Sequence, residues 1–145
     1  MNKDVIISVK GCHKYEDVDD DVVEVVTSGK YYKKGENYYI TYKESEMTGM
    51  DGVTTTLKVE VKKVTLMRFG PNSSQLVFEK GQKHMCHYDT GVGAFTVGVF
   101  SKQVDVLLDE RGGNISIDYL VEINNQIKGK NDLELNIREA GSRLQ

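Results

Sequence analysis

Apolar and polar residues alternate along most of this chain. Ile115, Ile117, Tyr119, Val121 and Ile123 are apolar at every second position. Val53, Thr55, Leu57, Val59 and Val61 form another such row, with Thr54, Thr56, Lys58, Glu60 and Lys62 between them. Side chains on a strand point to opposite faces in turn, so this pattern describes a sheet with one face in a core and one in water. Clean alternation is the habit of antiparallel sheets.

The longest signal is a hairpin with arms Tyr38–Glu46 and Val53–Lys63 around Met47–Gly52, where Asp51-Gly52 can supply positive φ. Before it, strands are predicted over 5–10 and 22–32, with Gly29 as a bulge or a point of close approach. The polar stretch Gly11–Asp21 reads as a loop. After the hairpin come Val64–Phe69, Gln75–Glu79, Lys83–Tyr88, Ala94–Phe100, Gln103–Leu108, Ile115–Ile123 and Leu133–Ile137. Asn124-Asn125, Gly129 and Asn131-Asp132 break the last alternation. Lys102–Glu110 mixes charges with Val and Leu, but its β-branched content favours strand over helix.

Short strands at roughly 8–12-residue spacing describe an all-β sandwich or barrel. Open edges this rich in Val and Ile would pair with other chains. A closed antiparallel barrel of about ten strands is therefore the predicted fold. Its 145 residues fit one domain, 1–145, long enough to bury a sizeable core.

Charge narrows the partners. A formal charge of −3 and a pI near 5.6 argue against nucleic acid, which needs a basic surface. No apolar run approaches the roughly 18 residues of a membrane helix, and the N-terminal apolar stretch is too short for a signal peptide. The expected location is the cytoplasm. Cys12 and Cys86 fit reduced thiols there. No motif calls for a cofactor, and the expected state is monomer or homodimer.

The strings Y-Y-I-T-Y-K-E (Tyr38–Glu44), M-R-F-G (Met67–Gly70), L-V-F-E-K-G (Leu76–Gly81), H-Y-D-T-G-V-G (His87–Gly93) and G-N-I-S-I-D-Y (Gly113–Tyr119) resemble, in order and spacing, the YwiB-like family. This is a family of unknown function among small proteins of Firmicutes. The resemblance implies an all-β, antiparallel up-and-down calycin-like (lipocalin-like) β-barrel of about 8–10 strands and supplies no reaction. Gly91 and Val92 stand where the family often has Pro and Tyr, so an aromatic side chain is missing there.

The inward polar residues decide what such a barrel can do. Tyr42, Glu44 and Glu46 continue the face of Tyr38 and Ile40, and Arg68 continues the face of Val64 and Leu66. Buried charges occur in pairs, so an inward Arg68–Glu44 pair is expected, with Tyr42 and Tyr88 beside it. This set would hold a small, partly apolar or anionic ligand, Arg68 gripping a carboxylate or phosphate. One alternative is a small enzyme using Tyr, Arg and Glu at the barrel mouth. Another is a non-catalytic structural or interaction module.

Other constellations point to no chemistry. His84 and His87 lie three apart and face opposite sides of a strand, so they cannot share a metal. The acidic run Glu16–Asp21 lacks the Gly and closing Glu of a calcium loop. Cys86 as a nucleophile would need a base and an orienting group; His84 shares its face but stands two residues away, so Cys86 reads as a core residue. No metal site and no catalytic residue is assigned.

Overall fold

A computed structural model describes residues 3–14, 21–44, 52–70, 73–89, 93–123 and 126–140. The side chains of 13, 14, 21, 88, 89, 94, 95 and 128 lie outside that description. These residues form ten strands: β1 (Lys3–Lys14), β2 (Asp21–Lys34), β3 (Asn37–Lys43), β4 (Thr54–Val59), β5 (Val64–Phe69), β6 (Ser74–Phe78), β7 (Lys83–Asp89), β8 (Ala94–Asp109), β9 (Gly112–Ile123) and β10 (Gln126–Glu139). Each pairs antiparallel with the next, and β1 pairs with β10 from Val5↔Glu139 to Lys14↔Lys130. The ring is a closed up-and-down barrel. Closure gives every strand a neighbour on both sides, although Asp21–Ser28 of β2 and Gln103–Asp109 of β8 are paired along one edge only among the described residues. No helix among the described residues is long and apolar enough to cross a membrane.

Three expectations are corrected. Gly11–Lys14 and Gly129–Asp132 are strand, not loop and break, because Gly11–Lys14 pair with Lys130–Leu133 across the β1–β10 seam and Gly129 pairs with Val121 on β9. Partner hydrogen bonds across the seam outweigh the weak local β-propensity of Gly, Asn and Asp. Ala94–Phe100 and Gln103–Leu108 are one sixteen-residue strand, β8. Its alternation is interrupted by a register shift between Ser101 and Gln103. An extra residue there resets the parity, so Val97 and Val99 and then Val104 take the same face. The central hairpin is also shorter than its pattern, ending at Lys43 and starting again at Thr54. Glu46, most of the expected turn, and the tail after Ala140 lie outside the described residues.

The core fills the barrel. Val5, Ile7, Ile40, Leu57, Val64, Phe78, Val99, Ile115 and Ile117 are all essentially inaccessible to water. Phe78 packs on Tyr119 with ring centroids 4.8 Å apart. At the end of the barrel near the β2–β3 turn, Tyr31 stacks on Tyr38 at 5.4 Å. The Tyr31 hydroxyl reaches across to donate to the Asp109 carbonyl at 2.7 Å. Gly29 is a point of close approach: a Cβ there would overlap the Thr41 carbonyl oxygen and the Ile7 side chain. Only glycine lets β2 and β3 close over Ile7 here.

Candidate functional site

Register alone assembles a row of polar residues. Gly29 pairs with Tyr42, Tyr42 with Thr55, Thr55 with Arg68, Arg68 with Ser74, and Ser74 with Tyr88. Residues opposite each other on neighbouring strands share a face, so one inward row crosses β3 to β7. Glu44 follows Tyr42 by two positions and joins the same face. Its backbone N–H donates to the Val53 carbonyl at 2.8 Å, which carries the β3–β4 pairing one step past the strand ends.

Glu44 is 8% exposed, an unusual burial for a carboxylate. The Thr55 hydroxyl, itself fully buried, donates to Glu44 Oε1 at 2.7 Å. Tyr42 is buried beside them, and its phenol is held well above its ordinary pKa. Burial is the largest cause, and the charge of Glu44 adds to it. The nearby Arg68 cation works against both, and hydrogen bonding to Glu44 and to Thr55 pulls in opposite directions. Tyr42 therefore remains an O–H group at physiological pH, a donor and not a base.

Arg68 brings the one charge that is left over. Its Nε is buried and has no hydrogen-bond partner among the described residues. The structure thus gathers Tyr42, Glu44 and Arg68 at one end of the barrel, but the expected direct Arg68–Glu44 ion pair is not formed. Glu44 spends a carboxylate oxygen on Thr55 instead. The Tyr88 backbone takes its place in the row, and its side chain lies outside the described residues. Two members were missed by sequence reasoning. Thr55 interrupts the apolar face of Val53, Leu57 and Val59, a legible signal, although threonine is common on strands for its propensity alone. Ser74, buried and opposite Arg68, lies one residue before the predicted strand Gln75–Glu79, so its alternation gives it no face.

The histidine and cysteine candidates fall elsewhere. His84 Nε2 lies 2.9 Å from Glu79 Oε1, while His87 is exposed. Cys86 is buried; it accepts from the Val77 N–H at 3.4 Å and donates to the His84 carbonyl at 3.6 Å. Burial pushes its thiol up, partly offset by the Val77 N–H. It is a core residue, with little thiolate to act as nucleophile. Among the described residues no three His, Cys, Asp or Glu side chains converge to hold a metal.

The row offers donors from Tyr42 and Arg68 and an acceptor from Glu44, a set suited to an anion with a hydroxyl or protonated edge. Known proteins share the scaffold. The model of a domain of unknown function, DUF1934, matches residues 7–135. An uncharacterised β-barrel protein of Bacillus subtilis (strain 168), YwiB, is 30% identical over 111 residues, 77% of this chain and 77% of its own. The crystal structure of YwiB from Bacillus subtilis matches with a TM-score of 0.84 at 25% identity, covering 96% of this chain and 93% of that one.

Proposed function

We propose, from the premise that this chain belongs to the DUF1934 family of β-barrel proteins of unknown function, that it binds a small, partly apolar anion at the end of the barrel carrying Tyr42, Glu44, Thr55 and Arg68. The observation that carries this reading is the orphaned Arg68 Nε. A buried donor without an acceptor costs on the order of 1–3 kcal/mol. A ligand carboxylate or phosphate oxygen would remove that cost and complete a charge-assisted bond. Glu44, already anchored by Thr55, would accept from a ligand hydroxyl, and the buried Leu66 and Val53, two positions from Arg68 and Thr55 on the same faces, would supply apolar contact. Two free cysteines support a cytoplasmic setting.

The test is native mass spectrometry of protein taken gently from cells, wild type beside Arg68→Met. A bound mass present in the first and absent from the second is the expected result. Equal loading of both, or none in either with no stabilisation of the wild type by small carboxylates and phosphates, would overturn the reading. A second reading, an enzyme, draws on a buried carboxylate beside a neutral phenol, the kinship of an acid–base pair. Recovery of a chemically altered ligand after incubation would favour it over binding alone.

A further inference from the structure

A second cleft lies in the barrel wall, away from that site. Strand β7 covers β8 only from Ala94 to Phe100. Past the Lys80↔Ser101 bridge, Gln103–Asp109 of β8 has a strand partner on β9 alone among the described residues. The wall is one strand short there. The gap between this stretch of β8 and the β4–β5 turn is a cleft of about 500 Å³.

Its lining has a consistent charge logic. Val61, Val104 and Val106 supply apolar surface, and the fully buried Val64 closes the floor. Three carboxylates reach the cleft, and each is already engaged. Glu60 lies 4.0 Å from Lys58 Nζ, Glu79 is 2.9 Å from His84 Nε2, and Asp105 accepts from Gln103 Nε2 at 2.9 Å. Three ammonium groups also line it: Lys62, Lys63 and Lys80. None has an ion-pair partner among the described residues. The carboxylates keep their charge but already have polar side-chain neighbours within the fold, whereas the three ammonium groups have no paired carboxylate among the described residues.

We infer that this cleft is a binding site for a small amphipathic anion, with a carboxylate, sulfonate or phosphate head among Lys62, Lys63 and Lys80 and a short apolar body on Val61, Val104 and Val106. The volume falls in the range of small-molecule pockets. Exposed ammonium groups make the site electrostatic at its rim and apolar beneath, so it selects for amphipathic anions over simple ions. It is independent of the site at Arg68, which lies on the opposite run of the strands.

Octanoate is the probe, followed by amide chemical shifts in the isotope-labelled full chain, with 1-octanol and inorganic phosphate as controls. Octanoate is expected to shift Val61–Val64, Lys80 and Val104–Val106 saturably, with a Kd of about 1 mM. The variant K62A/K63A/K80A, altered at the exposed Lys62 and Lys80 and the half-buried Lys63, is expected to keep the wild-type spectrum away from the cleft and to bind about tenfold more weakly. Equal response to octanol would remove the anion from the assignment, and equal response to phosphate would remove the apolar body. Unchanged binding by the triple variant, no saturable shift up to about 10 mM, or shifts confined to the neighbourhood of Tyr42 and Arg68 would each overturn it. The last of these would leave the other site intact.

Discussion

The strands β8, β9, β10, β1 and β2 are 16, 12, 14, 12 and 14 residues long, and they pair with one another along nearly their whole lengths. The strands β3 to β7 have only 7, 6, 6, 5 and 7 residues. Within that short half the ladder thins until β6 and β7 meet only at Ser74↔Tyr88 and Gln75↔His87. Yet Tyr42, Glu44, Thr55, Arg68 and Ser74 all belong to the short half, and so does one wall of the cleft at Lys62 and Lys63. The difference teaches a division of labour. Long strands with extended ladders hold the barrel closed, and short strands bring strand ends, with their polar side chains, close to the core.

If the long half holds the fold, truncating its core must hurt most. Ile117→Ala in β9 removes a side chain that is 1% exposed, and the expected loss is about 3 kcal/mol in denaturant unfolding. Leu76→Ala in β6, at 7% exposure, is expected to lose less, about 2 kcal/mol, because the thinly paired β6 can settle into the space. A larger loss at Leu76 than at Ile117 would break the comparison.

Next in size is Thr55→Val. Shape is kept and the hydroxyl is lost, so Glu44 Oε1 loses its donor in a buried setting. The expected cost is about 1–2 kcal/mol at neutral pH, read from the same unfolding curves. An unchanged midpoint would mean that the Tyr42 hydroxyl or water satisfies the Glu44 carboxylate without Thr55.

The two halves also differed in how much of them could be read from sequence. In the short half β5, β6 and β7 follow the local pattern, Val64–Phe69 to the residue and Gln75–Glu79 and Lys83–Tyr88 to within one, while the hairpin's return arm stops at Val59, four residues before its pattern ends. In the long half local pattern failed at Gly11–Lys14, at Gly129–Asp132 and at the bulge after Ser101, where distant pairing decides. The site divides the same way. Parity placed Tyr42, Glu44 and Arg68 on one face, since that requires only a period of two. Which oxygen of Glu44 goes to Thr55, and that Arg68 Nε goes without, depends on cross-strand register, which alternation in one strand does not encode.

A smaller effect compares one tyrosine from each half. Tyr31 on β2 and Tyr42 on β3 both have phenols raised well above the ordinary value near 10, by burial first. Above pH about 10 the unfolded chain loses protons that the folded chain keeps. The stability these groups support is therefore complete below that pH and falls as pH rises toward the folded-state values. The slope is at most about 1.4 kcal/mol per pH unit for each group. Between pH 10 and 11, Tyr42→Phe should unfold with a shallower pH dependence than wild type, and Tyr31→Phe likewise. Identical slopes would show that both rings reach water in the folded barrel.

The smallest expected effect on stability falls on the residue with the largest proposed role. Arg68→Met keeps much of the apolar stem while removing a guanidinium whose Nε is buried without an acceptor. Deleting an unsatisfied buried donor recovers its desolvation cost, while the lost attraction to the Glu44 carboxylate, with no direct ion pair, is modest. The two nearly cancel, so the midpoint should move by no more than about 1 kcal/mol in either direction. A structural arginine would behave differently: breaking a buried pair costs roughly 3–5 kcal/mol, because the partner charge is stranded. A collapse of that size on Arg68→Met, rescued by Glu44→Gln in the same chain, would make the pair part of the scaffold and assign the short half the same task as the long one. A stable Arg68→Met that no longer takes up the anion held by the wild type would keep the halves distinct, with the orphaned guanidinium maintained for a ligand and not for the fold.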